Sequence, residues 1–246
     1  MNPPDLVRRA AAEAVGTALL LATVVGSGIM GDRLSSGNVA IALLANTLAT
    51  GAGLVALILT FGPISGAHFN PAVTVADATQ GGIGWRDVPA YIAAQVAGAF
   101  GGVAAAHLMF GEPLFAASRH ERSGMPQMFS EFVATFGLLA VIWGVSRRRS
   151  EAIPFAVGAY ITAAYWFTAS TSFANPAVTL ARAATDTFAG IRPADAPGFI
   201  FAQVVGAAAA TAFFRWLVPA LPATASNVVA RDAAGSAKGD ESVSRV

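Results

Sequence analysis

Asn70-Pro71-Ala72 and Asn175-Pro176-Ala177 are the two places where this sequence sets side chains able to engage a polar solute in otherwise apolar surroundings. Each triplet lies within a longer echo, SGAHFNPAVT at 65–74 and STSFANPAVT at 170–179. An asparagine amide can cap a helix through its oxygen while its N–H groups donate elsewhere, and proline tolerates the first helical position. Each triplet therefore marks a helix start. One copy would read as an ordinary capped helix, but two copies that both continue Val-Thr point to an internal repeat.

Other residues with chemical potential are few. Glu13 and Glu131 are carboxylates inside apolar runs, normally the mark of a functional site, and read on their own they suit a proton-coupling site. His68 and His107 have no second histidine or carboxylate at metal spacing, so both read as structural. The chain has no cysteine, which excludes disulfides, thiolate metal sites and a thiol nucleophile. It also has no Ser/His/Asp order and no phosphate-binding loop, so neither an enzyme nor a cofactor is expected.

The elements that must position these residues are membrane spans. Of 246 residues, 55% are hydrophobic and 12% charged, against about 25% charged in soluble domains. A net charge of +1 offers no broad basic face for nucleic acid. Six apolar runs approach the roughly 20 residues needed to cross a bilayer: 10–30, 39–61, 88–110, 128–146, 153–170 and 198–218. The first run is too long for a signal peptide and reads as a retained span. Two shorter stretches, 71–79 and 176–185, cannot span and are either surface helices or re-entrant half-helices.

With six spans, Arg8, Arg9, Arg86, Arg147, Arg148, Arg149, Arg231, Lys238 and Arg245 fall on one side of the membrane. Arg33, Arg119, Arg122 and Arg192 fall on the other. The positive-inside rule then places both termini in the cytoplasm. Residues 224–246 are polar and rich in small side chains, and read as a disordered cytoplasmic tail.

The halves match beyond the triplets. EAVGT at Glu13 parallels EFVAT at Glu131, and AAQVAGAFGG at 93–102 parallels FAQVVGAAAA at 201–210. Each half holds three spans and one half-helix, and an odd span count inverts the second half. The expectation is an all-α membrane protein, one domain over 1–223, with six transmembrane helices and two re-entrant half-helices. Its inverted repeats cover about 6–117 and 126–220. Gly98 with Gly102, and Gly206 before an alanine run, are small residues suited to close helix packing.

The paired triplets, their flanks, the two Glu-x-x-x-Thr starts and the inverted repeat together resemble the aquaporin and aquaglyceroporin family over about residues 6–220. The resemblance implies half-helices that enter from opposite faces and meet mid-membrane, with Asn70 and Asn175 donating N–H into a pore. It implies a line of backbone carbonyls from Gly66, Ala67, His68 and Phe69 and from Thr171, Ser172, Phe173 and Ala174, opposite an apolar wall supplied by spans two and five. It gives Glu13 and Glu131 the task of accepting bonds from those loops. It also implies a homotetramer with one pore per subunit in a bacterial inner or cell membrane.

One departure bears on selectivity. Most of the family carries arginine directly after the second triplet, and here that residue is Val178. The other filter positions fall at Thr50, where a bulky aromatic is common, at Ser172, and at Tyr165 on span five, with Ala163 or Trp166 as alternatives. The constriction should be wider and less polar, with part of the barrier to cations removed. Arg182, one turn on, reads either as an interfacial anchor or as a charge that restores some of that barrier. Thr50 with Val178 resembles bacterial aquaglyceroporins associated with arsenic resistance, which implies glycerol, water and arsenite as its neutral trihydroxide. The leading reading is a passive channel for small uncharged solutes. A proton-coupled carrier using Glu13 or Glu131, and a non-conducting structural membrane protein, are the alternatives.

Overall fold

The computed structural model describes residues 4–146 and 149–218. The expected tail, and Arg147 and Arg148 of the basic cluster, lie outside the described residues. Eight helices form in chain order among those described: α1 (Leu6–Leu34), α2 (Val39–Ser65), α3 (Pro71–Thr79), α4 (Val88–Phe110), α5 (Met125–Ser146), α6 (Ile153–Phe167), α7 (Pro176–Arg182) and α8 (Ala196–Leu217). Local chemistry sets most of the ends. Asp5 caps α1 by accepting from the Arg8 N–H, and Asn38 caps α2 through the N–H groups of Ala40 and Ile41. Gly66 ends α2, and Gly111 ends α4, in the left-handed conformation that glycine adopts at least cost.

Five of the long helices are apolar enough and long enough to cross a membrane. The sixth span, α6, is only 15 residues, about 22 Å of helix, and a 3-10 turn at Ser150–Ala152 extends it on one side. It stops short of the expected residue 170: the Thr168 N–H makes the last helical bond, to the Ala164 carbonyl, and Thr168 itself turns extended. The half-helices α3 and α7 are about 13 and 10 Å long, so placed tip to tip they nearly fill the ~30 Å hydrocarbon core.

The two halves repeat one arrangement. In the first, α1 packs on α4 and α2; in the second, α5 packs on α8 and α6; the halves join where α2 meets α6. Close approach needs glycine at these crossings. A Cβ on Gly98 or Gly102 would collide with the Ala14 or Ala18 carbonyl oxygen of α1, and one on Gly206 would strike the Phe132 carbonyl oxygen of α5. Leu21, Val25, Leu139 and Trp143 fill the remaining space within the bundle.

Candidate functional site

The half-helix tips meet through the asparagines. Asn70 accepts the Ala72 N–H at its side-chain oxygen (2.9 Å), and Asn175 likewise accepts those of Ala177 and Val178 (3.0 and 3.2 Å). Each amide nitrogen then reaches across: Asn70 Nδ2 donates to the Ala174 carbonyl and Asn175 Nδ2 to the Phe69 carbonyl, both at 2.7 Å. An amide nitrogen has two protons. One is used in the crossing, which leaves the second available toward the cavity both asparagines line. Pro71, Ala72, Pro176 and Ala177 are buried as the first turns behind these tips.

Two carboxylates hold the loops before the tips. Glu13 is fully buried and accepts from the Ser65 hydroxyl (2.6 Å), the N–H groups of His68 (3.0 Å) and Phe69 (2.7 Å), and the Gln95 amide (2.8 Å). Glu131, equally buried, accepts from the N–H groups of Phe173 and Ala174 (both 2.9 Å) and from Gln203 (2.6 Å). Gln95 and Gln203 also donate to Thr74 and Thr179, whose hydroxyls bond back to the Asn70 and Asn175 carbonyls. The two constellations repeat the same contacts, except that the Ser65 hydroxyl bond to Glu13 has no counterpart at Glu131. Pulling the N–H groups one way forces unusual backbone: Ala67, Phe69, Thr171, Ser172 and Ala174 all have φ between 49° and 62°. Non-glycine residues occupy that region only when surrounding bonds impose it.

A cavity of about 390 Å³ runs past these loops. Gly66, Ala67, His68 and Phe69 line it from the first half, and Ser172, Phe173 and Ala174 from the second. Thr171 is not in the wall; its hydroxyl sits 3.5 Å from the Arg122 guanidinium instead. Leu20, Val24, Leu54, Leu138, Ile142 and Val157 make the facing side apolar. The wall thus draws on spans one and four as well as on the expected spans two and five.

Thr50, Tyr165, Ser172 and Val178 all line the same cavity, and the Thr50 and Tyr165 hydroxyls lie 3.3 Å apart. Ala163 and Trp166, the alternatives to Tyr165, are exposed on the outside of the helix. The reading of Arg182 as an interfacial anchor fails. Its side chain is only 2% exposed, lines the cavity and stacks on Phe173 with the guanidinium carbon 3.4 Å from the ring centroid.

Arg122, treated in the sequence only as a flanking charge, is also buried. Its guanidinium donates to the Gly190 carbonyl (2.9 Å) and the Ser170 carbonyl (3.2 Å) and lies 5.1 Å from the same Phe173 ring. Nothing in the local sequence marks it, because its partners come from another loop. Gln95 and Gln203 did carry a signal, as matching polar residues within apolar spans.

His107 bonds to Thr185 at 2.7 Å and holds the outer loop. His68 contacts Thr74 at 3.1 Å and lies 3.6 Å from Asp77. Outside the spans, Arg119 holds the Asp186 carboxyl below its ordinary range through its N–H and its side chain. Burial alone would raise Asp195, but bonds from Arg192 and the Arg122 N–H leave its carboxyl lowered as well. These contacts pin the loop that closes over Arg182. Among the described residues no group of three or more His, Cys, Asp or Glu side chains could hold a metal ion.

Comparison with known proteins agrees with this fold. The profile of the major intrinsic protein family matches residues 1–172. The chain is 58% identical over 223 residues to aquaglyceroporin AqpS of Rhizobium meliloti strain 1021, covering 90% of this chain and 95% of that protein. It is 40% identical over 137 residues to aquaporin NIP1-3 of Oryza sativa subsp. japonica, covering 53% and 48%. The fold is similar to the crystal structure of the aquaglyceroporin from Plasmodium falciparum, with a TM-score of 0.71 at 24% identity over 88% of this chain and 99% of that one. This chain belongs to the major intrinsic protein family, and is a multi-pass membrane channel rather than an enzyme.

Proposed function

We propose that the protein is an aquaglyceroporin, a passive conduit for small uncharged hydroxylated solutes: glycerol, water and arsenite as its neutral trihydroxide. The observation that carries this is the two-sided wall. Loop residues and the two asparagine amides form one side, and aliphatic side chains form the other. A molecule with hydroxyls along one edge and bulk along the other exchanges its water for that polar strip while its apolar part meets no polar group. Thr50 and Val178, both small, leave room for a triol beside Tyr165 and Ser172.

The 58% identity to an aquaglyceroporin over nearly the whole chain supports the same reading. The buried, four-times-bonded state of Glu13 favours a structural role over proton coupling. We further infer that one domain over 1–223 assembles as a homotetramer in the bacterial cell membrane, with both termini cytoplasmic. Stopped-flow swelling and shrinking of proteoliposomes with water, glycerol and arsenite tests the conduit. Flux that is equal in both directions, unsaturated and indifferent to a proton gradient is expected. Accumulation driven by a proton gradient would replace this reading with the carrier.

A further inference from the structure

We infer that Arg182 is the cation of the outer constriction, a donor site for oxygen-rich solutes and a barrier to cations. Val178, directly after the second triplet, gives the conduit an aliphatic wall. One helical turn later, the Arg182 guanidinium lies over Phe173, itself a wall residue. This deepens the proposed channel function and rests on it.

Three observations carry the inference. Arg182 is 2% exposed yet lines the cavity, so its small accessible part belongs to the conduit. Its Nε donates to the Ala189 carbonyl, while Nη1 and Nη2 donate to no other group among the described residues and are not sealed away from the cavity. No carboxylate among the described residues pairs with it: Glu131 is filled by Phe173, Ala174 and Gln203, and the outer aspartates Asp186 and Asp195 are bonded to Arg119 and Arg192. A buried guanidinium without a counter-charge is costly unless its remaining donors meet solvent or solute. Here they can meet only what occupies the conduit.

Arg122 acts as a positioning residue. Its bonds to the Ser170 and Gly190 carbonyls tie the second loop to the outer loop, and it adds a second positive charge beside Phe173. Solute oxygens, in a neutral hydroxyl or an oxyacid, accept from the Arg182 Nη groups. A cation must pass both charges. At about 5 Å from one unit charge and an effective dielectric near 20, the Coulomb barrier alone slows passage by about two orders of magnitude.

Urea and guanidinium test this, since they share a planar shape and differ by one permanent charge. In proteoliposomes of the whole chain, flux of urea and glycerol with at least about a hundredfold exclusion of guanidinium is expected. Arg182→Gln and Arg182→Met are expected to raise guanidinium flux, read as a ratio to urea flux in the same vesicles, at least about tenfold. Arg182→Lys, which keeps the charge and loses the fork, is expected to retain exclusion. Urea or glycerol flux in the same vesicles certifies a folded conduit, and the two neutral replacements guard against one failing to fold. Unchanged guanidinium exclusion in a variant that still passes neutral solute overturns the role of Arg182 and leaves the channel intact. A native chain that passes neither neutral solute overturns the channel reading itself.

Discussion

Replacing Glu13 by glutamine separates a structural carboxylate from a proton-coupling one. The side chain accepts four hydrogen bonds, two on each oxygen, in a fully buried site. If the new amide nitrogen stands at the Oε2 position it meets the Phe69 N–H and Gln95. Gln95 can flip to present its unpartnered oxygen, at the loss of its bond to Thr74, but the Phe69 N–H cannot adapt. If the nitrogen stands at Oε1, the Ser65 hydroxyl can rotate to accept, but the His68 N–H is stranded. Either orientation leaves one buried backbone donor facing another donor. That costs about 1–3 kcal/mol, and the surviving bonds fall from charge-assisted to neutral, so the total is about 2–4 kcal/mol.

The same bonds hold Ala67 and Phe69 at positive φ, so the loop relaxes and its place in the conduit wall is lost. The expected result of Glu13→Gln is an apparent Tm in detergent lower by roughly 5–15 °C, with glycerol flux reduced about tenfold or more. A carrier predicts the opposite pattern, because glutamine mimics the protonated carboxyl: an intact fold and lost coupling. Unchanged melting together with unchanged flux would refute the bracing role argued for Glu13.

Val178→Arg would place a second guanidinium one turn from Arg182 in the same wall. Glycerol flux should fall at least about tenfold while water flux falls less than about threefold, read by stopped-flow light scattering. Gly98→Val would drive a side chain into the Ala14 carbonyl and separate α1 from α4, destabilising by more than about 3 kcal/mol. Gly101→Ala, with nothing within 4 Å of the added methyl, should be neutral or stabilising by up to about 1 kcal/mol. Thermal unfolding of the pair in detergent checks both. Asp186→Asn tests the outer loop. The lowered folded pKa of Asp186 means its ionised form contributes stability above the unfolded value of about 3.9, lost as pH falls through the folded value. The melting difference between native chain and variant should therefore be flat at neutral pH and close below about pH 4.

Much of this architecture was legible because membrane burial leaves few options. The six apolar runs, the two triplets and the paired glutamates are local or repeated signals, and hydrocarbon permits irregular backbone only inside protein. Arg182 was not legible. An arginine ending a short apolar helix has the same sequence signature whether it snorkels outward or is folded under, and the difference is made by residues 183–191, which bring the Ala189 carbonyl back onto it. Arg122 was hidden for the same reason: its partners Ser170 and Gly190 are distant in the chain.

The reciprocal amide bonds between the half-helix tips bear on how the chain is made. Asn70 needs the Ala174 carbonyl and Asn175 needs the Phe69 carbonyl, so neither re-entrant segment can be completed by its own half. During synthesis the first segment emerges while its partner is still unmade, so entry into the bilayer at that point would leave a donor and an acceptor unmet in a medium that offers neither. That segment must wait at the interface, or in the shelter of the insertion machinery, until the ribosome delivers the other half. Biogenesis therefore ends with a single late locking event in which both segments seat together.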